Sequence, residues 1–258
     1  MLDSENPSSQ VDAALELVQK ILAQNLQALY LHGSAVAGGL RPQSDLDILA
    51  VVDASLSEAQ RQALIVALLS VSAPHPATPG GPRCIELVVC RRLDLQGKAY
   101  PAKVEFIYGE WLRDAFKEGY LSEAALDPEY TLLLAQARQQ AQLIVGLDVL
   151  ADVPATPIEL IRQAMRDSVA PLYEGLRGDE RNVLLTLARM WRTAVHGDFM
   201  TKEQAAAWAI PKLPPALAQT LEYARLAYVG EVRDCWDIRG QEAERLAQEL
   251  LGNLKQVL

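Results

Sequence analysis

Cysteine and histidine are scarce, with three of each in 258 residues. Cys84, Cys90 and Cys235 are scattered, odd in number and without a CxxC pair. That pattern argues against a disulfide framework and a structural zinc site, and it suits a reducing cytoplasm. His32, His75 and His196 do not have the spacing of a metal site. Basic side chains are outnumbered, 24 against 33 acidic, for a net charge of −9. A general nucleic-acid binder needs the opposite balance to neutralise phosphates, so no nucleic-acid partner is expected. An acidic surface instead suits a cationic small molecule. No apolar run approaches the ~18 residues of a membrane-spanning helix. The opening MLDSENPSSQ lacks the basic and apolar segments of a signal peptide, so a cytoplasmic protein without a membrane partner is expected.

Half the residues are hydrophobic, enough for a sizeable core. Val11, Leu15, Val18 and Leu22 recur at helical spacing, with Ser8 or Ser9 as candidate cap. Residues 28–32 (ALYLH) read as a short buried strand, followed by a glycine-containing loop. Residues 45–52 (DLDILAVV) read as a second strand, and a helix is expected from about Ser57 to Val71 with a Ser-x-x-Gln start. The stretch 72–83 (SAPHPATPGGPR) reads as a loop. Strands are expected over 84–90 (CIELVVC) and 103–108 (KVEFIY). Over 127–145 a helix is expected, with Leu133, Leu134, Ala137, Ala141 and Ile144 on one face. Residues 149–157 (VLADVPATP) read as a linker, and almost everything beyond it as helix. Its stripes are Val183, Leu184, Leu187 and Met190/Trp191, then Leu221, Ala224 and Tyr228, then Leu246, Leu250 and Leu254. The expected architecture is α+β: residues 1–155 with a mixed β-sheet and helices, then an all-α bundle over 156–258.

Chemistry concentrates in Gly33-Ser34, ten intervening residues, and Asp45-Leu46-Asp47. Alternate side chains on a strand share a face, so Asp45 and Asp47 project together while Leu46 and Ile48 turn to the core. Adjacent carboxylates repel unless a cation lies between them. Oxygen donors in this arrangement suit Mg²⁺ completed by substrate phosphates. Gly33 permits close backbone approach, and Ser34 offers N–H and hydroxyl donors to a phosphate. Glu86 lies between Ile85 and Leu87 in an otherwise apolar strand. It is a candidate third acid, either for the metal or to take a proton from an attacking hydroxyl. Phosphoryl or nucleotidyl transfer needs little beyond in-line positioning and charge neutralisation.

The segment LHGSAVAGGLRPQSDLDILAVV resembles the signature of the nucleotidyltransferase superfamily that includes DNA polymerase beta. It is more closely similar to the aminoglycoside adenylyltransferases that modify streptomycin and spectinomycin. The likeness runs along nearly the whole chain, through YPAKVEFIYGEW and GDERNVLLTLARMW. It implies that Asp45 and Asp47 bind two Mg²⁺ ions and the ATP phosphates, and that Glu86 is the catalytic base. Gly33 and Ser34 fall where the family holds the terminal phosphates. Arg189 and Lys202 match positions that reach the ATP phosphates, and Tyr228 matches an aromatic that stacks on adenine. Trp111 and Asp179 fall at substrate-contacting positions. An indole face suits a sugar or fused ring, and a carboxylate pairs with protonated amines.

Bland roles stand beside these: Arg189 as a solvated helix residue, Lys202 as a helix start, Tyr228 as core, Trp111 as packing and Asp179 as an N-cap. His32 reads as a strand-end residue rather than a base. Family members that also accept streptomycin carry a Trp and an Asp just before GDERN. Here the stretch is SVAPLYEGLRGDERN, with only Tyr173 and Glu174 nearby, so spectinomycin is the firmer expectation. The resemblance implies AMP transfer from ATP to a drug hydroxyl, antibiotic resistance and a monomer whose site draws on both domains. The rivals are the same fold with a protein or small alcohol as acceptor, and a non-catalytic nucleotidyltransferase-like binding module.

Overall fold

The computed structural model describes residues 7–78, 80–97 and 99–258, with only the backbone of 7–9. Its contacts divide the chain into two units, Met1–Ala155 and Thr156–Leu258.

The first unit opens with α1 (Pro7–Leu22), which leads into β1 (Leu26–Leu31). The helix already runs at Pro7, whose fixed φ suits a first turn, so Ser8 and Ser9 lie inside it rather than capping it. Then come β2 (Leu46–Val52) and α2 (Glu58–Val71). Ser57 caps α2 in a reciprocal box with Gln60, as the Ser-x-x-Gln spacing predicts. β3 (Ile85–Arg91) and the short α3 (Arg92–Leu95) follow, then β4 (Ala102–Val104) and β5 (Phe106–Tyr108). The unit closes with α4 (Arg113–Lys117), β6 (Ala125–Asp127), α5 (Pro128–Gln140), β7 (Gln142–Gly146) and α6 (Val149–Asp152).

Five strands form one sheet in the order β5-β3-β2-β1-β7, while β4 and β6 pair separately. β2 and β3 run parallel and the other neighbours antiparallel, so the sheet is mixed. Period-two alternation sorts the side chains onto two faces. Leu46, Ile48 and Ala50 with Ile85, Leu87 and Val89 pack beneath α1 and α2. Leu49, Val51, Val88 and Cys90 pack on the opposite face with α5 and α6.

Three expectations change here. The strand read over 103–108 is two strands in different sheets, broken at Glu105. That residue is 2% exposed. Its carboxylate accepts from the Arg61 guanidinium and from the Leu56 N–H. A buried charge must be paired, and meeting these partners takes precedence over continuing the pleat. The helix read over 127–145 ends at Gln140, and residues 142–146 pair with β1 as β7. Without β7 the edge of β1 would leave its backbone groups unpaired. The linker read over 149–157 begins as the helical turn α6. Leu150 N–H donates to the Tyr30 hydroxyl at 3.0 Å, and Val149 and Leu150 are buried against the sheet.

The second unit is helical: α7 (Ile158–Glu174), α8 (Glu180–His196), α9 (Lys202–Ala209), α10 (Pro215–Val229) and α11 (Gly240–Val257). The predicted stripe Val183, Leu184 and Leu187 is buried on α8, as are Leu246, Leu250 and Leu254 on α11. Thr201 and Gln204 form a capping box at the start of α9.

Candidate active site

At the end of β1 the chain turns through Gly33, whose φ is +62°. This left-handed region disfavours any residue with a Cβ. A Cβ on Gly33 would also meet Asp47 Oδ2 at 1.8 Å. Backbone and carboxylate are therefore in direct apposition, and only glycine leaves room for both. A short 3₁₀ turn, Gly33–Ala35, carries the half-buried Ser34. Ala37 N–H closes the loop on Gly33 C=O at 3.1 Å.

Asp47 lies beside Glu86 in the parallel ladder, and Leu46 beside Ile85. Leu46 and Ile85 are buried against the helices, so the two carboxylates share the other face and are half-buried there. His32 N–H bonds Asp47 C=O at 3.1 Å, extending the row to β1. The His32 ring is 6% exposed and its Nε2 finds no partner in the structure. Burial pushes its pKa down to about 4, so the imidazole is neutral near pH 7.

Asp45 sits just before the ladder, at the mouth of β2. Arg83 anchors this approach, donating from Nη1 to Arg41 C=O at 2.7 Å and to Ser44 C=O at 2.8 Å. The Gln10 amide in turn holds Arg83, accepting from its N–H and donating to its C=O. Acidic charge gathers at this end of the sheet. Burial, reinforced by the charges of Asp45 and Glu110, pushes the Cys84 thiol up to about 12. Burial together with Asp127, Glu129 and Glu86 raises the Tyr130 phenol to about 12. Asp127 and Glu129 were not singled out from the sequence. The signal is Asp-Pro-Glu, an N-cap followed by proline, and Asp127 does accept from Glu129 N–H at 2.8 Å. Among the described residues no three His, Cys, Asp or Glu side chains enclose a metal ion by themselves.

Trp111 follows β5 in a 3₁₀ turn, Glu110–Leu112, and is 62% exposed. In the second unit the structure joins two of the singled-out residues. The exposed Asp179 flanks α8 but makes no capping hydrogen bond; its Oδ2 accepts from Asn182 Nδ2 at 2.9 Å. Asn182 Oδ1 accepts from the Lys202 ammonium. The capping role open to Asp179 is thus not used, and Asn182, absent from the sequence reading, is the bridge. Its signal was its place in Asp-Glu-Arg-Asn, three residues after Asp179, within reach of a helix's preceding turn. Arg189 lies seven residues on, on the same face of α8 and half-buried, as is Tyr228 on α10.

Comparison with known proteins decides the family. Residues 14–149 match the nucleotidyltransferase domain, and residues 148–253 match the aminoglycoside adenylyltransferase C-terminal domain. A spectinomycin 9-adenylyltransferase of Staphylococcus aureus is 42% identical over 89% of this chain and 88% of its own. An aminoglycoside (3'')(9) adenylyltransferase of Escherichia coli is 34% identical over 97% of this chain and 96% of its own. The chain belongs to the aminoglycoside adenylyltransferases. A crystal structure of a spectinomycin adenyltransferase from Enterococcus faecialis with ATP and spectinomycin superposes with a TM-score of 0.91. It is 30% identical and covers 97% of this chain and 100% of the other. Gly33, Asp47 and Glu86 all lie within the segment that matches the nucleotidyltransferase domain. Among its described residues no helix is long and apolar enough to cross a membrane.

Proposed function

We propose that the protein transfers AMP from ATP to a hydroxyl of spectinomycin, releases pyrophosphate and so confers resistance. The observation that carries this reading is the pairing of Asp47 with Glu86 beside a glycine turn that leaves the Asp47 carboxylate no Cβ to meet. The family membership and the 42% identity to a spectinomycin enzyme support the acceptor. The acceptor hydroxyl attacks the α-phosphorus, Glu86 takes its proton, and pyrophosphate departs. Gly33 and Ser34 receive the terminal phosphates through backbone and hydroxyl donors. We assign Mg²⁺, as two ions, to Asp45 and Asp47, because hard carboxylate oxygens short of a full cage suit an ion completed by ATP oxygens. Bound there, Mg²⁺ offsets the charge that develops on the phosphates.

To the second unit we assign Arg189 and Lys202 for the phosphates, Tyr228 for adenine and Asp179 for an ammonium of the drug. Trp111 supplies an apolar floor for the acceptor ring. Asn182 positions Lys202 and Asp179 together. The product carries AMP, whose bulk and charge spoil its fit to ribosomal RNA. One chain holds every assigned residue, so we propose a cytoplasmic monomer that needs no nucleic-acid or membrane partner. Tyr173 and Glu174, in the last turn of α7, stand near the positions that streptomycin users fill with Trp and Asp.

The test is pyrophosphate release from Mg-ATP with spectinomycin, streptomycin or a kanamycin-type control, beside Glu86→Gln. Release with spectinomycin that the variant loses is the expected result, and the streptomycin lane reads out Tyr173 and Glu174. Silence with every drug while ATP still binds would overturn the resistance reading and point to another acceptor.

A further inference from the structure

The indole of Trp111 does not simply hang in solvent; it lies against the backbone of Gly109. That glycine is buried, with φ −160° and ψ 156°. This is extended backbone that any residue adopts, so main-chain conformation does not require a glycine here. Space does. A Cβ on Gly109 would meet Cη2 and Cζ3 of Trp111 at 2.2 Å and Cε3 at 2.6 Å. The six-membered part of the indole occupies the volume that a side chain at 109 would take.

Strand register says where that volume is. β3 and β5 are antiparallel, with Val88 opposite Ile107 and Leu87 opposite Tyr108. Gly109 follows β5 in an extended conformation, and the same register carried one step on sets it opposite Glu86. Val88 and Ile107 pack on the same face of the sheet as each other, and Glu86 shares the face of Val88. A side chain at 109 would therefore stand on the carboxylate face, next to Glu86. Trp111 fills that place from two residues downstream, extending the row of Glu86, Asp47 and His32 across β5.

The turn that delivers the ring is tightly held. Leu112 N–H bonds Gly109 C=O at 3.0 Å. Between Gly109 and Trp111, the buried Glu110 carboxylate accepts from the Tyr108 hydroxyl at 2.8 Å, from Ser72 Oγ and from Arg113. Arg113 also donates to Ser72 C=O at 2.7 Å. Ser72 Oγ in turn accepts from Ile85 N–H at 2.9 Å, the residue just before Glu86. One hydrogen-bond network thus ties the turn carrying the indole to the strand carrying Glu86.

We infer that Gly109 is a positioning residue that sets acceptor specificity: its missing Cβ is the seat that fixes the Trp111 indole as the floor of the acceptor subsite beside Glu86. The matching ligand is a cyclic polyol with one apolar ring face and a hydroxyl at its edge, turned toward Glu86. This rests on the proposed roles of Trp111 and Glu86.

The experiment uses the full chain as wild type, Gly109→Ala, Trp111→Ala and the double variant. Each is measured for KM and kcat with spectinomycin, KM for Mg-ATP, and acrylamide quenching of tryptophan fluorescence. Trp191 and Trp236 are buried and Trp208 half-buried, so quenching reports chiefly on Trp111. Gly109→Ala is expected to alter quenching and raise KM for spectinomycin about tenfold, the scale of a lost apolar contact, with KM for Mg-ATP unchanged. The double variant should be no worse than Trp111→Ala, because the added methyl then meets no ring. Should Gly109→Ala not fold, recovery of folding in the double variant supports the seat, and loss of folding in both overturns it. Unchanged quenching in Gly109→Ala, or effects of the two substitutions that multiply, would overturn the seat. Altered quenching with acceptor KM unmoved in both single variants would instead sink the assignment of Trp111 to the acceptor.

Discussion

Gly33 and Gly109 show at the scale of single residues how an absent side chain shapes this site. Gly33→Ala combines a positive φ with a Cβ in contact with Asp47 Oδ2. We expect kcat to fall about a hundredfold, the cost of displacing a catalytic group by about 1 Å, with far-UV circular dichroism unchanged. Retained pyrophosphate release would contradict that. Asn182→Ala removes the bridge between Asp179 and the Lys202 ammonium. KM should rise for both Mg-ATP and spectinomycin in that variant; a rise for neither leaves Asn182 without a positioning role. Sequence alone could flag Gly33, because the acids of Asp-x-Asp sit at period two and a glycine-serine pair precedes them. It could not flag Gly109, since nothing in one dimension says that an extended glycine seats a ring two residues on. For Asn182 the spacing to Asp179 is local and legible, but its contact with Lys202 on another helix is not.

Elements carry a different kind of information. Long amphipathic stripes and the capping box at Ser57 were legible, because period and cap chemistry are local. The split of residues 103–108 was not, because it depends on Arg61, more than forty residues away, meeting Glu105. The end of α5 was also hidden. No glycine or proline marks Gln140, and what stops the helix is the open edge of β1 that residues 142–146 cover. Glu105→Ala should destabilise the fold by about 2 kcal/mol, since it leaves the buried Leu56 N–H without its acceptor and Arg61 without its carboxylate, while the Arg61 bonds to Glu105 C=O and Ser122 C=O remain. Urea unfolding checks this, and a shift within error would assign the strand break to something else. Glu110 gives an acid-stability prediction. Burial opposes its ionisation, but hydrogen bonds from Arg113, Ser72 and Tyr108 outweigh burial and hold its pKa below the usual 4.5. The folded state therefore binds fewer protons here than the unfolded chain. The stabilisation is complete above pH 4.5 and drains away as pH falls through the lower folded value. Glu110→Gln should be less stable than wild type near neutrality and lose less on acidification, by thermal unfolding across that range.

For the molecule as a whole, composition speaks to partner class and says little about geometry. The net charge of −9 argues against phosphate-backbone binding and favours a cationic acceptor. If long-range attraction aids capture, KM for spectinomycin should rise as sodium chloride goes from about 50 to 500 mM, where the screening length shrinks severalfold. A flat profile would confine the attraction to short-range contacts. Chelation with EDTA should abolish pyrophosphate release, and added Mg²⁺ should restore it. No overall number could have shown that the acids of Asp47 and Glu86 come from parallel strands joined by a helix and a proline-rich loop.

That loop has a closed neck. Ala73 N–H bonds Arg83 C=O at 3.0 Å, Ser72 Oγ holds Ile85, and Arg83 is fastened to Arg41 and Ser44. Most of the described residues between Ala73 and Arg83 are exposed beyond this fastening, so the length of the segment is uncoupled from the register of β3. The enzyme thus offers a splice point there: a peptide tag or a reporter domain inserted in the loop would leave Glu86 on its proper face. Relatives should be free to gain and lose residues at this one place without losing their chemistry.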